Sequence, residues 1–336
     1  MKLTFGTAAL IATLLLTLSS RTSPAQPAPS RPAAEKIIID TDIGDDIDDA
    51  FAVALALSSP EVKIVGITSA WGDTDLRSRL LDRILCETGR ADIPVYTGVP
   101  TKTMTKFTQK PWAEAGREHP HTDAVTFLLD EIRHNPGEIT LVAIAPLTNI
   151  GAAIDRDPAT FRKLKRVVMM GGSIHRGYDD FGYTTIHNPE PEYNIYSDVP
   201  AAKKLFSSGV PIYMMPLDST QQKFDEVKRS LLASISTPLT DSLQLLTAEW
   251  QRSTGQTTPT LYDPVAMAYA IDPATCPTTP LHIEVDDKGF TRVTPGAANA
   301  NACLKPHTDA FFNLLMPRLL NQKLSGTQTC TASEAK

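Results

Sequence analysis

Strand-like and helix-like segments alternate along most of this chain, and that alternation restricts the fold more than any other feature of the sequence. "KIIID" (36–40), "VKIVGITSA" (62–70), "IPVYTG" (93–98), "ITLVAIAP" (139–146), "LKRVVMMGG" (164–172) and "VPIYMMPLD" (210–218) are short runs rich in apolar and β-branched residues. Between them lie "DDAFAVALALSSP", "DLRSRLLDRILCETG", "HTDAVTFLLDEIRHNPG", "LTNIGAAIDRDP" and "SDVPAAKKLFSSG", which carry helical periodicity. Successive strand–helix–strand units need crossover connections, which give a mostly parallel sheet with helices on both faces. Near-continuous apolar strands are the kind buried on both sides. The expected fold class is therefore α/β: a single open, mostly parallel, Rossmann-like sheet, with a helical excursion from Phe224 to about Pro259. No internal repeat or composition break divides it.

A chain of 336 residues with 42% hydrophobic residues can bury a full core of this type. The net charge of −6, with Lys and Arg scattered, leaves no basic stripe for a phosphate backbone, so nucleic acid is not an expected partner and small substrates are. Lys2, an apolar stretch from Leu3 to Leu18 and small residues around Ala25 have the layout of an export signal, and the apolar stretch is short for a transmembrane span. The expected organisation is a signal peptide over 1–25, a Pro/Ala-rich tether over 26–35, one domain over 36–322 and a C-terminal tail over 323–336, with the mature protein periplasmic or extracellular. Export permits disulfides. A Cys276–Cys303 pair is one candidate, whereas Cys86, within the apolar periodicity of "LLDRILCETG", is expected to be a core thiol.

In open parallel sheets, ligands bind where strand C-termini meet loops. The polar clusters "DTDIGDD", "WGDTD", "APLTN", "GGSIH" and "LDST" all fall at such ends, so several loops can converge on one crevice. The first is the most charged. Asp40, Asp42, Asp45, Asp46, Asp48 and Asp49 are six of the ten residues at 40–49, where a strand gives way to a helix. One or two could cap the helix. Six exceed what one helix terminus compensates, and a hard cation bound by oxygen ligands is the economical explanation. An EF-hand does not fit, because a loop begun at Asp40 puts Gly44 at position five and Phe51 at position twelve. A Mg²⁺-dependent phosphatase of the haloacid dehalogenase type would use Asp40-Thr41-Asp42, but no accompanying Ser/Thr, Lys and second acidic pair stand out.

With these residues in view, the chain from about Lys36 to Leu320 resembles the inosine–uridine-preferring nucleoside hydrolase family. The opening motif D-x-D-x-G-x-D-D-A is met by Asp40, Asp42, Gly44, Asp48, Asp49 and Ala50, with two extra residues after the glycine. "GITSAWGD", "GRADIPVYTG", "LVAIAPLTNIGAAI", "VVMMGGS", "EPEYNIYSDVPAAKKLF" and "YDPVAMAYAIDP" follow in family order. The resemblance implies a Ca²⁺-dependent ribonucleoside hydrolase that cleaves the N-glycosidic bond to free nucleobase and ribose. It implies metal ligation by Asp42, Asp49, the backbone carbonyl of Ile144 and Asp263, with Asp48 as general base. Asp45 and Asp46 become the motif pair if the insertion is placed differently. Substrate contacts are expected from Asp73, Asn188, Glu192, Asn194 and Tyr262. Tyr262 stands where many members carry a histidine that protonates the departing base, and a phenol with a pKa near about 10 is a weaker acid for that task. His187, His175 or Tyr183 are the candidate substitutes. A homo-oligomer, dimer or tetramer, is also implied. The reading from another class is a nucleoside- or sugar-binding protein of the same fold that has lost turnover.

Overall fold

The computed structural model describes residues 33–178, 187–326 and 329–331. The expected signal peptide and most of the tether lie outside them, as does Tyr183. Among the described residues no helix is long and apolar enough to cross a membrane.

The strands are β1 (Glu35–Thr41), β2 (Val62–Ser69), β3 (Val95–Tyr96), β4 (Thr140–Ile144), β5 (Arg166–Met170), β6 (Ile212–Met215), β7 (Gln222–Lys223), β8 (Thr260–Leu261), β9 (Thr279–Leu281), β10 (Ile283–Val285), β11 (Thr291–Val293) and β12 (Ala300–Ala302). Eight of them form one sheet in the order β3-β2-β1-β4-β5-β6-β12-β9. Every neighbouring pair is parallel except β12 with β9. The expected open, mostly parallel sheet is therefore present. The antiparallel edge and the β10–β11 hairpin were not foreseen, because their strands are only three residues long and carry little apolar signal.

β1 is central, with Ile37, Ile38 and Ile39 fully buried between neighbours β2 and β4. Its side chains alternate between two cores, with Ile37 and Ile39 in one and Ile38 in the other. The helix Asp48–Leu57 that follows is buried throughout and packs against the helix Asp263–Ile271. An all-round apolar sequence suits this position between sheet and outer helices. The excursion is helical as expected, Glu226–Ala233 and then Pro238–Thr254, the latter opened by a Thr237/Thr240 capping box and closed by left-handed Gly255.

Cys276 and Cys303 are joined in a disulfide, as foreseen. Cys86 is not a core thiol: it is bonded to Cys330 across 244 residues. The C-terminal segment reaches it because the Gly326 N–H donates to the Glu87 carbonyl at the end of the Cys86-bearing helix. Residues just beyond 322 are thus attached to the domain rather than trailing from it.

Candidate active site

The strand order reverses between β1 and β4, and the crevice at their C-terminal ends holds a cavity of about 260 Å³. From the first loop Asp42, Asp45, Asp46, Asp48 and Asp49 face it. Ile144 at the end of β4 and Met170 at the end of β5 form its floor, and Tyr262 and Asp263 close it from the far side. Tyr178, Glu192, Tyr193 and Asn194 complete the wall.

The loop's path depends on Gly44, at φ +121°, where an added Cβ would stand 2.3 Å from the Phe107 ring. The Gly44 carbonyl accepts the Gln109 N–H at 3.1 Å, and the Thr108 hydroxyl donates to the Asp45 carbonyl at 2.8 Å. The segment around Phe107–Gln109 therefore holds the acidic loop in place from outside.

The six aspartates have separate surroundings. Asp40 points away from the cavity and accepts from the Thr68 hydroxyl and from Asn149 Nδ2 at 2.7 Å. Burial raises its pKa to about 6 despite those hydrogen bonds. With Asp40 so placed, the two aspartates of D-x-D do not share a cavity, and the phosphatase arrangement is not formed. Asp45 meets Arg77, whose Nη2 lies 2.9 Å from its Oδ2 with both side chains buried. Arg77 also donates to the carbonyls of Asp42, Ile43 (2.9 Å) and Trp71 (2.7 Å). Its guanidinium satisfies several loop carbonyls and one carboxylate together, which suits a planar donor fork. Asp45 is thereby spoken for, which favours Asp48 and Asp49 as the motif pair. Asp46 accepts its neighbour's N–H, from Ile47 at 2.7 Å, and burial raises its pKa to about 6.

Asp48, Asp49 and Asp263 each offer a carboxylate oxygen, and these atoms lie within 4.8 Å of one another. All three side chains are buried, at 3–4% exposure. Asp48 Oδ2 accepts the backbone N–H groups of Tyr262 and Asp263, both at 3.1 Å, while Asp49 accepts from the Thr41 hydroxyl. Burial first and mutual repulsion second push all three carboxyls well above their ordinary range. Asp42 lines the same cavity just outside this trio, and burial raises it to about 7 against the pull of Arg77. A buried cluster of this kind needs protons or a cation. An all-oxygen donor set, with the Ile144 main chain beside it, fits a hard divalent ion better than a soft one.

Of the expected substrate contacts, Glu192, Asn194 and Tyr262 line the cavity. Glu192 accepts three backbone N–H groups, from Gly172 (2.8 Å), Asn194 (3.0 Å) and Ile195 (3.2 Å), and burial holds its pKa up to about 7. Asn194 is fixed by its donation to the Met170 carbonyl at 3.2 Å. Asp73 and Asn188 are not among the lining residues. Asp73 is exposed and serves as N-cap of the helix Thr74–Glu87, accepting the Leu76 N–H at 3.0 Å, and Asn188 is exposed as well. A carboxylate immediately before a helix is drawn to the unpaired N–H groups there. Neither His175 nor His187 lines the cavity.

Tyr178, Tyr193 and Arg77 were missed in the sequence. Tyr178 and Tyr193 join Tyr262 in an aromatic wall, the Tyr178 and Tyr262 rings meeting edge-on at 6.1 Å. Tyr193 is held by the Trp71 indole N–H (3.0 Å) and the Thr105 hydroxyl (2.7 Å). Trp71 itself has φ +62°, a strained value for a non-glycine residue at a loop that feeds the site. Arg77 left a readable signal: it falls on the same helical stripe as Leu80, Leu81 and Ile84, a position where a charge must be paired.

The family model described as inosine-uridine preferring nucleoside hydrolase matches residues 37–313. An uncharacterized protein of Schizosaccharomyces pombe is 37% identical over 209 residues, 58% of this chain, which spans 64% of that relative and so less than two thirds of its length. The pyrimidine-specific ribonucleoside hydrolase RihB of Escherichia coli O1:K1 / APEC is 31% identical over 269 residues, 75% of this chain and 83% of the relative. Among solved structures, a plant nucleoside hydrolase (PpNRh1) superposes with a TM-score of 0.75 at 26% identity, covering 86% of this chain and 99% of its own. Sheet, acidic cavity and these likenesses agree: the chain belongs to the inosine-uridine preferring nucleoside hydrolase family and is an N-glycosidase that cleaves nucleosides.

Proposed function

We propose that the protein is an exported, calcium-dependent ribonucleoside hydrolase in which Asp48 is the general base. The observation that carries this reading is the convergence of one carboxylate oxygen each from Asp48, Asp49 and Asp263, within 4.8 Å of one another, in the acidic cavity. Asp42, Asp49, Asp263 and the Ile144 carbonyl would hold the ion. When bound, calcium supplies the positive charge that offsets the carboxylates and makes a neighbouring water more acidic.

Asp48 is suited to take the proton from the attacking water. Two backbone N–H groups hold one of its oxygens, which fixes the orientation of the carboxylate and favours its ionised form. As the C1′–N bond breaks, its electron pair leaves with the nucleobase and the ribose ring gains positive charge. The buried carboxylates favour that charge without reorganising. Water oxygen then bonds to C1′, and the departing base takes up a proton. Tyr262 and Tyr178 present apolar ring surface against which the base can pack. Glu192 and Asn194 stand ready for ribose hydroxyls.

The two disulfides support export, since such bonds persist in oxidising compartments. The Escherichia coli relative is named for pyrimidine ribonucleosides, which puts uridine and cytidine first among the substrates to test. Purified protein is incubated with uridine, cytidine, inosine and adenosine, with calcium and with a chelator, and released ribose is measured. Ribose release that stops on chelation and returns with calcium is the expected result. Binding of all four without release would instead identify a nucleoside-binding protein of this fold.

A further inference from the structure

A second cluster of metal-ligating side chains lies away from the acidic cavity. Asp82 projects from the helix Thr74–Glu87, while His119 and His121 come from the irregular segment that runs to the next helix. His119 Nε2 lies 2.9 Å and His121 Nε2 2.7 Å from the same oxygen, Asp82 Oδ2. The three ligand atoms fall within 4.8 Å of one another. The histidines alternate about Pro120, whose ring stiffens the backbone between them, and their rings meet at 4.3 Å. The cluster lines a cavity of about 490 Å³ together with the Cys86–Cys330 disulfide.

We propose that Asp82, His119 and His121 form a binding site for a divalent transition cation of the zinc class. Two imidazole nitrogens meet a single carboxylate oxygen, which has a lone pair for each N–H when both rings carry their proton at Nε2. The same three lone-pair donors make a good partial shell for zinc, which takes His nitrogen and Asp oxygen and accepts a water as fourth ligand. The donor set differs in kind from that of the acidic cavity. Nitrogen ligands select zinc, copper or nickel over calcium, so the two sites would sort ions by chemistry. The His119 Nδ1 atom faces the Pro120 carbonyl at 3.4 Å, the kind of outer contact that orients a ligating imidazole. Nearby Arg83 is engaged elsewhere, stacked on Trp112 and donating to its carbonyl, and so does not compete for Asp82. An ion here would tie the helix that carries Arg77 to the segment that begins at Phe107 against the acidic loop.

The site is tested with the full chain by equilibrium dialysis against Zn²⁺ in excess Ca²⁺, so that the acidic cavity is filled. The expected result is one retained equivalent of zinc, with zinc affinity lowered about tenfold or more in His119→Ala. His119 is 52% exposed, so its truncation leaves the core intact. Asp82→Asn should weaken zinc similarly, and Co²⁺ in the wild-type protein should give a visible spectrum that His119→Ala abolishes. Hydrolysis of nucleoside in calcium should be the same in His119→Ala as in wild type. Equal zinc retention by wild type and by the His119→Ala/His121→Gln variant would overturn the proposal and leave a hydrogen-bonded cluster only.

Discussion

Asp48 Oδ2 accepts the backbone N–H of Asp263 at 3.1 Å, joining the acidic loop after β1 to the turn that opens the helix Asp263–Ile271, 215 residues later. The same oxygen accepts the N–H of Tyr262. The carboxylate is therefore oriented by main chain, and substituting either neighbour's side chain leaves that orientation in place. The two halves of the site are held together even where their sequences have nothing in common.

Asp48→Asn retains an oxygen that can accept those N–H groups but removes the basic carboxylate. Turnover should fall by on the order of 10²-fold or more, while calcium content, measured by atomic emission, stays near that of the wild type. Asp42→Asn should show the opposite balance, weakened calcium affinity with activity recovered at high calcium. Exchange of those two phenotypes would assign the base to Asp42.

Arg77→Met leaves Asp45 buried with no partner guanidinium and frees the loop carbonyls that Arg77 caps. Removing one member of a buried pair typically costs about 3–5 kcal/mol. A denaturant titration should show a loss of that size, and Asp45→Asn in the same background should recover part of it.

Chelated protein should lose stability as pH rises. Burial lifts Asp42 from 3.8 to about 7 and Asp40 from 3.8 to about 6. A carboxyl whose folded pKa exceeds its unfolded value binds more protons when folded, so its contribution is complete below pH 3.8 and is lost as pH climbs through 6 to 7. Thermal unfolding of the chelated protein should thus give a higher Tm at pH 5 than at pH 7.5. Added calcium should raise the Tm more at the higher pH, where the carboxylates are ionised.

Tyr262→Phe keeps the ring and the backbone N–H that holds Asp48, and removes only the hydroxyl. If that hydroxyl assists the departing base, kcat should drop for inosine and uridine while hydrolysis of p-nitrophenyl riboside, whose leaving group needs no proton, is unchanged. An equal drop for both substrates would limit Tyr262 to positioning.

The sequence by itself determined the parallel α/β sheet, because alternating buried strands and amphipathic helices leave few other ways to hide both faces. It also marked the acidic junction, since six aspartates after one strand are visible as local composition, whereas Asp263, Glu192 and Asn194 were legible only through the resemblance to the family. Only the tertiary structure decided which aspartate does what: Asp40 turns to Asn149, Asp45 to Arg77, and Asp48 and Asp49 meet Asp263. Asp73 stood in the motif but caps its own helix, because the nearest unpaired N–H groups are one turn away. The Cys86–Cys330 bond and the Asp82–His119–His121 cluster were silent in the sequence for the same reason. Their partners are brought together by packing across long separations, and no local periodicity records a contact of that range.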